Sequence, residues 1–189
     1  MMKTLLVLVV SLFMSSSLAA AACEVERVSV NWTAFQTPEK VGVKGSFDTI
    51  NFDARQKKDD CAFSYFTMAT VHIDTSTVTT QNKERDTALV SVFFKNLIGD
   101  HIDAIIKRID LEKKEMSVEV TMNDISQTVY MPYSFDEKTL KAKGKIDLLN
   151  FSASSSLNAI NDVASTKGKG KVWSDVEVSF ELVLKNKCI

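Results

Sequence analysis

The chain has 189 residues, with 23 basic against 24 acidic side chains, a formal charge of −1 and 45% hydrophobic residues. So balanced a charge offers no field to hold a polyanion, which removes nucleic acid from the expected partners, while the hydrophobic share suffices for one sizeable core. Three cysteines and two histidines leave little material for a thiolate or imidazole metal cage.

Residues 1–22 combine Lys3, an apolar stretch from Leu5 to Met14 and the small-residue run Ala19 to Ala22. This is the layout of a cleaved secretory signal, too short for a comfortable permanent span, so the expected folded unit is a single domain over residues 23–189 with no stable membrane insertion. Export makes disulfides durable. Cys23 would open the mature chain and Cys188 nearly closes it, so the two staple the termini if the terminal strands are neighbours; Cys61, inside an apolar segment, is then the buried free thiol. Acylation of Cys23 is the weaker reading, because Ala20 to Ala22 precede it where a lipoprotein signal usually carries Leu three residues ahead.

Beyond Cys23 the sequence alternates with period two, the pattern of strands with one dry face. Val28, Val30 and Trp32 alternate with Ser29, Asn31 and Thr33. Val41, Val43 and Phe47 then oppose Lys44, Ser46 and Asp48, and Ala69, Val71 and Ile73 oppose Thr70, His72 and Asp74. The alternation breaks at Asp86 to Phe94, where Leu89, Val90, Phe93 and Phe94 have helical spacing behind Asp86 as a cap. Residues Ile102 to Ile109 read as a strand of ambiguous phase. Met116, Val118, Val120 and Met122 restore the alternation, followed by Val129, Met131, Tyr133 and Phe135, with Pro132 suited to an edge or bulge. Leu140, Ala142, Gly144, Ile146 and Leu148 form the next dry face, Ser154 to Val163 a second short helix, and Val176 to Leu184 the last strand. About eight strands in meander order give an all-β fold class, a single antiparallel eight-stranded β-barrel with one or two short helices. Small inward residues, Gly45, Ala69, Ala104, Ala142 and Gly144, favour an interior with room for a ligand.

Candidate chemistry is sparse. His72 and His101 have no second His or Cys at metal-ligand spacing, so no metal site is expected. No nucleophile elbow or phosphate-binding glycine loop is present, so no catalytic residue is assigned and the chain is read as a non-enzyme. Glu84, Arg85 and Asp86 combine an acid, an anion clamp and a base, but equally suit a helix-capping corner. The triplets Asn31-Trp32-Thr33 and Asn150-Phe151-Ser152 fit a glycosylation pattern that occurs often by chance.

The stretch IDTSTVTTQNKERDTALVSVFF resembles the signature of the YceI-like family: a strand, a Ser/Thr turn, a Thr before Asn, an Arg-Asp pair, then a Leu-rich helix ending in Phe-Phe. NWTAFQTPEKVGVKGSFDTI and KVWSDVEVSFELVLK resemble that family's first hairpin and last strand, so the likeness spans the mature chain. It departs at Ala88, where many members read Asp-His-Leu around this point, and in its Cys23 and Cys188. The resemblance implies a lipocalin-like barrel in the bacterial periplasm or secreted space, without a catalytic centre. It also implies a long amphiphile, a polyisoprenoid, a quinone precursor or a fatty-acid derivative, held non-covalently in a hydrophobic tunnel for transport, storage or sequestration, with no other cofactor. Arg85 and Asp86 would then lock the strand-to-helix corner over one end of the barrel.

With the apolar face taken as inward, Val43, Phe47, Val71, Ile73, Val118, Val120, Ala142, Ile146, Val178 and Phe180 are expected along the tunnel wall. Trp32 and Tyr133, each joining an apolar ring to one hydrogen donor, are expected at the head group. On this reading Ala142→Phe blocks the tunnel more than it harms folding. A homodimer joining two tunnels would suit a longer chain, though no residue pattern requires it. The competing readings are a packed barrel that recognises a protein partner through its exterior and, third, an exported hydrolase or redox protein using Cys61.

Overall fold

The fold is known from a computed structural model that describes residues 23–54 and 62–187. The expected signal segment, Cys61 and Cys188 lie outside the described residues. Ten strands form one antiparallel sheet: β1 (Val25–Gln36), β2 (Val41–Phe47), β3 (Ile50–Asp53), β4 (Thr70–Asp74), β5 (Val78–Thr79), β6 (His101–Asp110), β7 (Glu115–Met122), β8 (Ile125–Phe135), β9 (Thr139–Asp147) and β10 (Val172–Leu184). Their order is β3-β4-β6-β7-β8-β9-β10-β1-β2-β5, curled into a half-barrel with β3 and β5 as its edges. The expected count of eight is thereby corrected to ten among the described residues. The additions are the edge strands β3 and β5, four and two residues long, too short to carry a legible alternation.

The terminal strands are neighbours, with Val25 opposite Leu184. Cys23 is buried and disulfide-bonded. The expected pairing to Cys188 falls outside the described residues.

Three α-helices among the described residues accompany the sheet: α1 (Ala62–Phe66), α2 (Lys83–Ala88) and α3 (Ser154–Thr166). Helix α2 runs on through a π turn, Leu89–Phe93, and a 3-10 turn, Phe94–Asn96. Its cap is Asn82, whose Oδ1 accepts from the Arg85 amide at 3.0 Å, and not Asp86 as the sequence suggests. Asp86 is drawn to Thr80 instead. Helix α1 has no counterpart among the expected elements, because its five residues are too few to display a period.

Two irregularities resolve ambiguous segments. In β6 the register to β7 shifts between Ile106 and Arg108, so Ile102, Ala104 and Ile106 share the inner face while Ile109 regains it after the bulge. In β8, Ile125 to Pro132 pair with β7, whereas Tyr133 to Phe135 pair with β9. Pro132 sits at that changeover, where a missing amide hydrogen is tolerated.

The interior is uneven along its length. Under α1 it is closely packed: Phe66, Leu140, Leu182 and Leu184 are all 0% exposed, and Ala142 only 1%. Phe63, Phe66, Tyr133 and Phe135 interlock there edge-to-face and tilted, with ring centroids 5.4–6.1 Å apart. The opposite end lies beneath α2 and α3 and is hollow.

Candidate functional site

Beneath α2 and α3 the half-barrel encloses a cavity of about 190 Å³. Its wall combines Val30, Trp32 and Ala34 of β1, Phe47 of β2, Val71 and Ile73 of β4, Ile102, Ala104 and Ile106 of β6, and Met116, Val118, Val120 and Met122 of β7. Met131 of β8, Ile146 of β9 and Val172, Trp173, Val176, Val178, Ser179 and Phe180 of β10 complete the sheet side, and Leu89, Phe93, Phe94, Leu148, Leu157 and Ile160 close the helical side. Such a lining offers dispersion contacts and almost no hydrogen-bond partner. An apolar cavity of about 150 Å³ is already large enough to stay dry and take an aromatic ring.

Of the residues expected on the tunnel wall, Phe47, Val71, Ile73, Val118, Val120, Ile146, Val178 and Phe180 line this cavity, as does Trp32. Val43, Ala142 and Tyr133 do not. Val43 pairs with Ala34 and so shares the inner face of β2 with Phe47, but it is not among the residues that border the cavity. Ala142 is opposite Tyr133 in the solid end, and Tyr133 packs its ring on Phe63 at 5.8 Å. Burial raises the Tyr133 phenol above its ordinary value, with the Asp110 carboxylate adding to it. Strand phase identifies which face is dry but not which part of that face is filled. The missed lining residues Leu89, Phe93, Leu157 and Ile160 were visible as helical spacing; what the spacing lacks is the side of the barrel on which those helices land.

The small inward residues mostly make way for larger neighbours. A Cβ on Gly45 would come within 2.2 Å of Trp32 Cζ2, so the indole lies flat over that backbone. On Gly144 it would meet Met131 Cγ at 2.9 Å and Val129 Cγ1 at 3.0 Å. These glycines sit in the wall between the cavity and a polar outer cleft, which includes Thr80, Arg85, Thr128, Tyr130, Lys143, Lys145 and Glu177. Trp32 and Val178 border both spaces. Trp32 Nε1 is buried and has no hydrogen-bond acceptor among the described residues.

The charged corner of α2 is built around Thr80. The Asp86 carboxylate accepts from the Thr80 amide at 2.8 Å and from its hydroxyl at 2.5 Å. Arg85 Nε donates to the same hydroxyl at 2.8 Å. Glu84 instead reaches Lys167 at the far end of α3, and that hydrogen bond holds its carboxyl below the usual range. All three charged groups are therefore engaged in joining β5, α2 and α3 at the hollow end.

The outer faces of β4 and β6 bring His72, His101 and Asp103 together. Linear spacing concealed this group, because antiparallel pairing places residue 72 opposite residue 103.

Residues 22–184 match the sequence profile of the YceI-like domain. Among solved structures, the chain is similar to a polyisoprenoid binding domain from Saccharophagus degradans at 12% identity and a TM-score of 0.63, covering 88% of this chain and 98% of that one. Burkholderia cenocepacia BcnA gives 14% identity and a TM-score of 0.57, over 82% of this chain and 95% of that one. The Campylobacter jejuni YCEI protein gives 20% identity and a TM-score of 0.56, over 78% and 87%. A comparison with curated proteins finds no match.

Proposed function

The chain belongs to the YceI-like family, and from that premise we propose that it is an exported binding protein, not an enzyme, which holds the hydrocarbon part of a long-chain amphiphile in the cavity beneath α2 and α3. The observation that carries this reading is the apolar cavity of about 190 Å³ beneath α2 and α3. One structural neighbour is a polyisoprenoid binding domain, which supports an isoprenoid or similarly branched chain as the ligand class. Each methylene moved from water into the cavity contributes about 0.8 kcal/mol, so affinity needs no specific bond. The cavity as it stands takes only the end of such a chain. A longer one enters as Phe93, Phe94 and Leu157, which are carried on the helical side, give way.

Orientation follows from a polar group buried in the wall. The buried Trp32 N–H lacks an acceptor among the described residues, and such a donor costs about 1–3 kcal/mol until a ligand oxygen reaches it. The disulfide at Cys23 supports an oxidising compartment, periplasmic or extracellular, and a Cys23 sulfur so committed is unavailable for acylation. The biological use is carriage, storage or sequestration of the ligand.

The test is native mass spectrometry of protein isolated from its own host without detergent, then solvent extraction of the bound species. A mass with isoprene or acyl repeats is expected. An empty protein that also fails to take up added polyisoprenoid and fatty-acid derivatives would sink the proposal and leave the packed-barrel interaction module in its place.

A further inference from the structure

Three polar side chains that have no part in the cavity converge on the outer face of its wall. His72 lies on β4 directly opposite Asp103 on β6, and His101 is two residues before Asp103 on the same face. His72 Nδ1 is 2.7 Å from Asp103 Oδ1, and His101 Nε2 is 3.3 Å from Asp103 Oδ2. The imidazole rings lie 4.8 Å apart, centre to centre. The candidate donor atoms are all within 4.8 Å of one another, whereas three ligands of one tetrahedral zinc ion at its usual bond lengths stand about 3.4 Å apart. Small side-chain rotations on an exposed surface close that difference.

A carboxylate also stands behind one of the imidazoles. Asp100 Oδ1 accepts from His101 Nδ1 at 3.0 Å. The Asp100–His101 contact is the carboxylate–histidine arrangement that orients imidazole ligands from behind.

We propose that His72, His101 and Asp103 form a binding site for one divalent transition ion of the zinc or copper type, with water completing the coordination. Two imidazoles and one carboxylate suit these ions better than magnesium or calcium, which prefer an all-oxygen shell. The ion ties β4 to β6 on the outside of the wall whose inner face carries Val71, Ile73, Ile102 and Ala104. The site is independent of whether the cavity holds lipid.

The test is equilibrium dialysis and calorimetric titration of tag-free, chelator-treated protein with zinc chloride, repeated with copper chloride. One ion per chain is expected, with at least a tenfold loss of affinity in His72→Ala and in His101→Ala and no stoichiometric binding in the double variant. Saturating zinc should raise the Tm of the parent chain and leave that of the double variant unchanged. All three residues are accessible at the surface, so the variants should fold, and circular dichroism checks that they do. Absence of stoichiometric binding to the parent, or equal binding by the double variant through a thiol or another surface group, overturns the proposal.

Discussion

Thr80 engages both charged side chains of the α2 corner through one hydroxyl, donating to Asp86 and accepting from Arg85. Thr80→Val keeps the shape and removes both bonds. It should lower unfolding free energy by about 1–3 kcal/mol in urea titration, with Thr80→Ser recovering most of the loss. An ion pair lies beside Trp173, where Lys40 Nζ meets Asp175 at 2.9 Å and also lies 4.8 Å from the indole ring. The hydrogen bond from Lys40 lowers the Asp175 carboxyl below its ordinary value of 3.8. A carboxylate depressed on folding contributes stability that is complete above its unfolded value and disappears as pH falls through the folded one. The stability gap between the parent and Lys40→Met should therefore be present at neutral pH and close on acidification below 3.8. A gap that is the same at every pH would exclude this linkage.

At the scale of elements, the contact between β1 and β2 depends on a missing side chain. Trp32 is opposite Gly45, and the indole fills the space a Cβ would need. Gly45→Ala should displace the ring, cost about 1–3 kcal/mol as overpacking does, and change tryptophan fluorescence. Unchanged emission and stability would mean that the indole is not held against that backbone. Helices α2 and α3 act together for a related reason: Glu84 at the start of one reaches Lys167 at the end of the other, and both present apolar residues to the cavity. The helical spacing of these segments was legible in the sequence. Their joint position over one end was not, since it arises from contacts between residues about eighty positions apart.

Across the whole molecule, solid and hollow halves respond differently to the same kind of change. Ala104 borders the cavity, while Ala142 is 1% exposed in the packed end. Ala104→Phe should abolish uptake of a polyisoprenoid probe with little loss of stability, because the added ring occupies existing space. Ala142→Phe should instead destabilise the fold by about 1–3 kcal/mol or more, with uptake falling only as folding fails. Thermal unfolding and probe binding measured on both variants decide the matter; equal losses of both properties in both variants would show that the two ends are not distinct. This reverses the effect that strand phase alone implies for Ala142.

The sequence by itself determined the all-β class, the inward face of most strands, the two longer helical insertions and the family signature, because each is written in a period of two, a helical spacing or a contiguous motif. Even the buried status of Ala142 and the polar-outward position of His72 follow from that period. Only the tertiary structure decided that the interior is filled under α1 and open under α2 and α3, since packing depends on which side chains from distant strands meet at the same height. It alone brought His72 to His101 and Asp103, and turned Asp86 from a helix cap into a partner of Thr80. Alternation specifies a side of the sheet; register and curl specify the neighbour.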